Sequence, residues 1–280
     1  MCADVQPILL LHGLAGFVRL FGLDYFNGIV EDLLSHGVEA HTPRVHPTAS
    51  IAFRARQILD YIEEHFGREP VHLIGHSMGG LDARYLASPN GLNQGDRILT
   101  VTTIGTPHQG SAIASLVLRT GMNRTFVAKP LSDIALKDTD DETRRFYEEV
   151  RDSRWEGLTE LRPSSIKREF NPRILDHPAV RYFSFAGKMG GKGGAPIWLP
   201  LALQWAFLGM VEGPNDGLVA VKSCTWGNFL GVLPASHQDL IGHLSPRTGI
   251  PFDRFQFYRD LAHRLERVEK GEETDLTSPM

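Results

Sequence analysis

Hydrophobic positions change period along this chain in a regular alternation. Pro7-Ile8-Leu9-Leu10-Leu11 is a short continuous apolar run closed by His12-Gly13. A run of that kind predicts a strand buried on both faces, as in the middle of a parallel sheet. From Asp24 to Gly37 the period lengthens: Phe26, Ile29, Val30, Leu33 and Leu34 share one helical face, with Asp24 placed to cap and Gly37 to stop the helix. A second helix is predicted from about Ser50 to His65, with Ile51, Ile58, Leu59, Ile62 and Phe66 inward and Gly67 at its end. Then come a strand at Val71–Ile74, a helix at Ser77–Ala87 and a strand at Ile98–Ile104. Strands and helices taking turns require a parallel sheet with right-handed crossovers.

Between about residues 110 and 176 the alternation gives way to helical and charged material, before Val180–Ala186 resumes as a strand. The stretch reads as a helical insertion over one end of a single domain spanning 1–280. An amphipathic helix is predicted over Arg254–Glu269, with Phe255, Tyr258, Leu261, Ala262, Leu265 and Val268 on one face. The most apolar stretch, Pro196–Val211, has 16 residues and two prolines. It falls short of the roughly 20 that span a bilayer and predicts a buried or rim helix.

Composition narrows the function classes. A net charge of −4 from 29 basic and 33 acidic residues offers no basic stripe for a nucleic-acid backbone. Two cysteines, Cys2 and Cys224, give no disulfide framework and no activated thiol. The residues before the first strand lack a basic region followed by an apolar run, so a cytoplasmic protein or a mature secreted form is expected.

Candidate chemistry begins at Gly75-His76-Ser77-Met78-Gly79, a G-x-S-x-G pattern between a predicted strand and a predicted helix. That is the context of the nucleophile turn of the α/β-hydrolase fold, which presents a serine hydroxyl above the sheet edge. The first strand runs into His12-Gly13-Leu14-Ala15-Gly16, and in such a fold one oxyanion amide comes from this loop and one from the residue after the serine. Those amides are Leu14 and Met78, while His12 is expected to order the loop. The acid and the base must follow the serine in the chain. Five of the twelve histidines do so: His108, His177, His237, His243 and His263. His263 falls in the last helix and His108 reads as loop support. Asp216, in an Asn-Asp-Gly turn, is the acid candidate, and His237 lies 21 residues beyond it. Periodicity and spacing separate His237 from His243 poorly as the base.

Several stretches together resemble the bacterial true lipases, the family I triacylglycerol lipases. They are PILLLHGLAGF (7–17), Asp24-Tyr25-Phe26, LIGHSMGGLDARY (73–85), VTTIGTPHQGS (101–111), LTELRPSSIKREFN (158–171), YFSFAG (182–187), NDGLV (215–219) and SHQDLI (236–241). The resemblance implies Ser77 as nucleophile, Asp216 as acid, His237 as base, oxyanion donors at Leu14 and Met78, and a mobile lid within the insertion. It implies hydrolysis of carboxylic esters, triacylglycerols foremost, at an oil-water interface. Soluble acyl donors turned over by an esterase, thioesterase or acyltransferase are the second reading, and an inactive hydrolase-fold binding module the third. Expected acyl-cleft residues are Phe17, Val18, Leu20, Phe21, Trp198, Leu199, Trp205 and Phe207. Members of this family often carry calcium near the histidine loop, and Asp239 matches one carboxylate ligand. Where the second acid belongs, this chain reads Gly193-Gly194-Ala195-Pro196. A hard cation needs several oxygens, so no metal or other cofactor is expected.

Overall fold

The computed structural model describes residues 5–16, 18–20, 23–121, 140–152, 154–243 and 252–272. Its strands are β1 (Ile8–Leu11), β2 (Arg19–Leu20), β3 (Leu23–Asp24), β4 (Ala40–His41), β5 (Val71–His76), β6 (Ile98–Ile104), β7 (Arg181–Gly187) and β8 (Asn228–Leu233). Six of them form one sheet in the order β4-β1-β5-β6-β7-β8. Every neighbouring pair is parallel. β2 and β3 pair separately as an antiparallel hairpin.

The continuous apolar runs are explained by burial on both faces. Along β1, Ile8 and Leu10 point to one side with α1 (Ile29–Ser35) and the C-terminal helix Arg254–Glu269, meeting Phe26, Ile29, Leu33, Tyr258, Leu261 and Leu265. Leu9 and Leu11 point to the other, where α2 (Ile51–Phe66) and α3 (Met78–Ala87) supply Ile58, Leu59, Ile62, Ala83 and Leu86. The two-residue alternation of a strand therefore divides one run between two cores. Ser50 caps α2 by accepting from the Phe53 amide at 3.3 Å.

The first helix departs from expectation. Asp24 pairs in the β2–β3 hairpin, and the helix starts later, behind Gly28 at φ 72°. Phe26, Ile29 and Leu33 are buried as expected, but Leu34 is 51% exposed. β4 was not foreseen: at two residues it is too short to display a period. In the C-terminal helix Phe257 is buried, whereas Phe255 packs only at the core's edge.

Within the 110–176 stretch stand α4 (Ala112–Thr120) and the helices Asp141–Asp152 and Glu156–Glu160, then a π-helical turn at Ile166–Phe170. Phe146, Tyr147, Val150, Trp155, Leu158 and Leu161 cluster there with Met78 and Leu81 of α3. The central part, 122–139, lies outside the described residues. The apolar stretch after β7 becomes a 3₁₀ turn, Leu199–Leu201, and the helix Ala202–Val211. It is a rim helix: Leu201 and Leu208 are buried, while Leu199, Leu203 and Met210 are at least 80% exposed. No described helix is long and apolar enough to cross a membrane.

The strand order places a switch in the sheet between β1 and β5. From β1 the chain crosses to β4 on one side, and from β5 it crosses to β6 on the other. Helices leave opposite faces at such a point, so a crevice opens beyond the carboxyl ends of the two strands.

Candidate active site

Ser77 stands at that crevice, between the end of β5 and the start of α3. Its backbone has φ 54° and ψ −128°, a left-handed conformation costly for a residue with a Cβ. The Ser77 amide donates to the Ile104 carbonyl of β6 at 3.0 Å, which helps hold that turn. The turn also requires close backbone contacts. A Cβ on Gly75 would stand 2.4 Å from the Gly80 Cα, and one on Gly79 only 2.2 Å from the Leu11 carbonyl oxygen.

Facing Ser77 is the loop after β1, whose amides can be accounted for one by one. The Gly13 amide donates to the Tyr25 hydroxyl at 3.0 Å. That of Ala15 donates to the Pro47 carbonyl at 2.7 Å and that of Gly16 to the Gly13 carbonyl at 3.1 Å. The Leu14 amide alone in this loop has no acceptor among the described residues. Met78, as first residue of α3, has an amide that no carbonyl of its own helix can reach. Ala15 is held at φ 53°.

Two buried side chains fix the loop. His12 donates from Nδ1 to the Gly13 carbonyl at 3.0 Å, as expected for a loop-ordering residue. Burial, reinforced by the charge of Arg54, lowers its pKa from 6.5 to about 3. Arg54 of α2 donates to the His12 carbonyl at 2.6 Å, the His46 carbonyl at 2.8 Å and Asp82 Oδ2 at 2.8 Å.

Asp216 and His237 meet behind the same crevice. Asp216 Oδ1 accepts from the Leu218 and Val219 amides at 2.9 and 2.7 Å, and its Oδ2 accepts from His237 Nδ1 at 2.7 Å. The His237 amide donates to the Asp216 carbonyl at 2.9 Å. Both carboxylate oxygens are thus engaged, and the histidine is presented with Nε2 away from the aspartate.

The other histidines take different places. His243 lines the same cavity with its ring edge-on to Tyr25, but the Asp216 carboxylate is bonded to His237. His108 is buried, bonded to Thr103 Oγ1 at 2.9 Å and stacked on Trp226. His177 packs against Gly95, and His263 is exposed on the C-terminal helix. Asp239 Oδ2 accepts from the Ser236 amide at 2.9 Å, while Ser236 Oγ accepts from the Asp239 amide at 3.2 Å. Asp239 is thereby committed to the turn that carries His237. Among the described residues no three acidic, histidine or cysteine side chains gather as a metal-binding group would.

A cavity of about 570 Å³ opens over Ser77 and His237. Ile113, Ala114 and Val117 of α4 line one wall, and Trp155, Leu158 and Leu161 another. Of the expected cleft residues, Trp198 lies on this cavity. Val18 borders a separate small cavity beside Arg44 and Phe146. Leu199 is 84% exposed, and the indole of Trp205 donates to the Met189 carbonyl at 3.0 Å. Phe207 is half-buried on the rim helix and does not line the cavity. Leu20 belongs to the β2–β3 hairpin, and Phe17 and Phe21 lie outside the described residues. The apolar wall comes from the insertion because its helices bury a face against α3 and turn the adjoining side chains inward.

Tyr25, His76, Arg54 and Asp82 were missed as parts of the site. Arg54 had a visible signal: it interrupts the inward face of α2 between Ile51 and Ile58. An arginine on a buried helical face needs a partner charge.

The chain is similar to several known proteins. A family model described as the alpha/beta hydrolase fold matches residues 6–150. The triacylglycerol lipase of Vibrio cholerae is 31% identical, with 94% of this chain and 88% of that protein covered. The triacylglycerol lipase of Pseudomonas fragi is 26% identical, with 94% and 96% covered. The crystal structure of Staphylococcus hyicus lipase matches with a TM-score of 0.74 over 98% of both chains at 20% identity, a likeness of fold. Sheet order, the serine turn and the family match agree, and the chain belongs to the α/β-hydrolase family.

Proposed function

We propose that this protein is a triacylglycerol lipase, hydrolysing carboxylic esters through an acyl-enzyme on Ser77. The observation that carries the reading is that Ser77 and the Asp216-bonded His237 open onto one apolar cavity that Leu14 also lines, its amide without an acceptor among the described residues. The full-length similarity to triacylglycerol lipases points to the same substrate class.

In this reading Ser77 Oγ attacks the ester carbonyl carbon while His237 Nε2 takes its proton. Asp216 holds the imidazole in the required tautomer and stabilises the imidazolium. The Leu14 and Met78 amides receive the oxyanion, each donor of this kind being worth a factor of about 10² to 10³ in turnover. His237 then protonates the departing alcohol, and water releases the acyl group by the reverse sequence. The walls from α4 and from Trp155 to Leu161 take the acyl chain, and the insertion that carries them serves as a lid at an oil-water interface. The reading gives calcium no part. Asp239 already caps its own turn, and the second acid is replaced by a glycine pair, so the donor set suits a hard cation poorly.

Labelling with a fluorophosphonate, together with turnover across acyl lengths from butyrate to oleate with and without chelator, tests this reading. One adduct on Ser77, absent from Ser77→Ala, and turnover of emulsified long-chain triglyceride insensitive to chelator are expected. No adduct on folded protein overturns the enzyme reading. Activity on short soluble esters with none on the emulsion overturns the lipase reading in favour of an esterase.

A further inference from the structure

The loop carrying Leu14 and the turn carrying His237 come from opposite ends of the chain, yet two buried side chains connect them. Tyr25 Oη accepts from the Gly13 amide at 3.0 Å and lies 2.8 Å from His76 Nδ1. His76 Nε2 lies 3.1 Å from the His237 carbonyl oxygen. The His76 and His237 rings also touch, with centroids 4.5 Å apart.

The direction of each bond follows from the groups at the ends. A carbonyl only accepts, so His76 must carry its proton on Nε2 and donate to His237. Nδ1 is then an acceptor, and the Tyr25 hydroxyl donates to it. The hydroxyl oxygen keeps a lone pair for Gly13, whose amide only donates. Every donor therefore meets an acceptor in one arrangement: Gly13 amide to Tyr25, Tyr25 to His76, His76 to the His237 carbonyl. Burial holds His76 well below the usual histidine range, with the neighbouring His237 adding to the effect, so the ring is neutral as this arrangement requires.

We propose that Tyr25 and His76 are positioning residues that set the oxyanion loop and the general base as one unit, through a directed hydrogen-bond relay from Gly13 to His237. The inference rests on the reading of Ser77, His237 and the Leu14 amide given above. Tyr25 secures the amide next to that of Leu14, and so fixes which loop amide faces the reacting centre. His76 precedes the nucleophile and holds the backbone of the base. Neither need touch the reacting atoms.

Tyr25→Phe and His76→Asn, singly and together, test the relay on the full chain. Each single variant is expected to lower kcat about ten- to a hundredfold with KM changed less than about threefold, and to slow fluorophosphonate labelling of Ser77 by the same factor. The double variant is expected to be no slower than the worse single one, since groups acting as one unit are not additive. Effects that multiply in the double variant, or kcat unchanged in either folded single variant, overturn the relay. A nitrogen-15 spectrum of the unaltered protein applies even if a variant fails to fold: His76 protonated on Nε2 supports the relay, and protonation on Nδ1 overturns it. Failure of the underlying reading has a different signature, in which Ser77→Ala or His237→Ala retains full turnover and labelling.

Discussion

Arg54 and Asp82 form an ion pair with neither side chain exposed to solvent, 2.7 Å apart at closest approach. Arg54 extends this pair to the loop after β1 by donating to the His12 carbonyl. Breaking one half of a buried pair costs about 3–5 kcal/mol, whereas replacing both halves by apolar groups is often neutral. Asp82→Asn is therefore expected to lower stability by about that amount, and Arg54→Met/Asp82→Leu to recover most of it. The double variant still lacks the tether on His12, so kcat is expected to stay depressed when stability returns. Urea unfolding and ester turnover on the same samples check both halves of the prediction.

His237→Ala is expected to reduce kcat by at least about 10³, and His243→Ala by less than about tenfold. The difference follows from the Asp216 carboxylate, which bonds His237 Nδ1 and no other histidine. Turnover of a soluble p-nitrophenyl ester measures it. The reverse ranking would transfer the base to His243.

Acid should destabilise the fold below about pH 6.5, because buried neutral histidines must gain protons on unfolding. His12 is lowered to about 3, and burial holds His76 and His108 well below 6.5. A lowered folded pKa means that the unfolded chain binds the proton first. The stabilisation is complete above pH 6.5 and is lost as pH falls toward the folded values. Four carboxyls act in the opposite sense, since burial raises Asp82 from 3.8 to about 6 and also lifts Glu160, Asp176 and Glu212, but burial lowers His46 and His243 as well, so five histidines stand against four acids. Urea midpoints measured at pH 7.5 and 5 are expected to fall with pH, and a flat profile would contradict the burial of these rings.

Val117→Phe narrows the apolar cavity where α4 lines it. It is expected to lower kcat/KM for oleate esters at least about tenfold while changing butyrate esters less than about threefold, since each misplaced methylene is worth roughly 1–3 kcal/mol. Competition between the two esters in one assay gives the ratio directly. Equal losses for both would place the acyl chain elsewhere.

The strand and helix alternation, the serine turn and the candidate acid are legible in the order of residues alone, because each is a local pattern. Ile8–Leu11 is apolar at every position only because two cores claim it. Gly75 and Gly79 were legible because no other residue fits the turn. What neighbours in the chain could not decide was which distant groups meet. Spacing separates His237 from His243 poorly and only the resemblance favours His237, whereas the tertiary structure distinguishes the two by bringing one ring, 21 residues on, within 2.7 Å of Asp216. The loop after β1 likewise gains Tyr25, Arg54 and His76 from three separate parts of the chain. A hydrogen bond needs its partners within about 3 Å and aligned, and that condition is met by packing rather than by sequence separation.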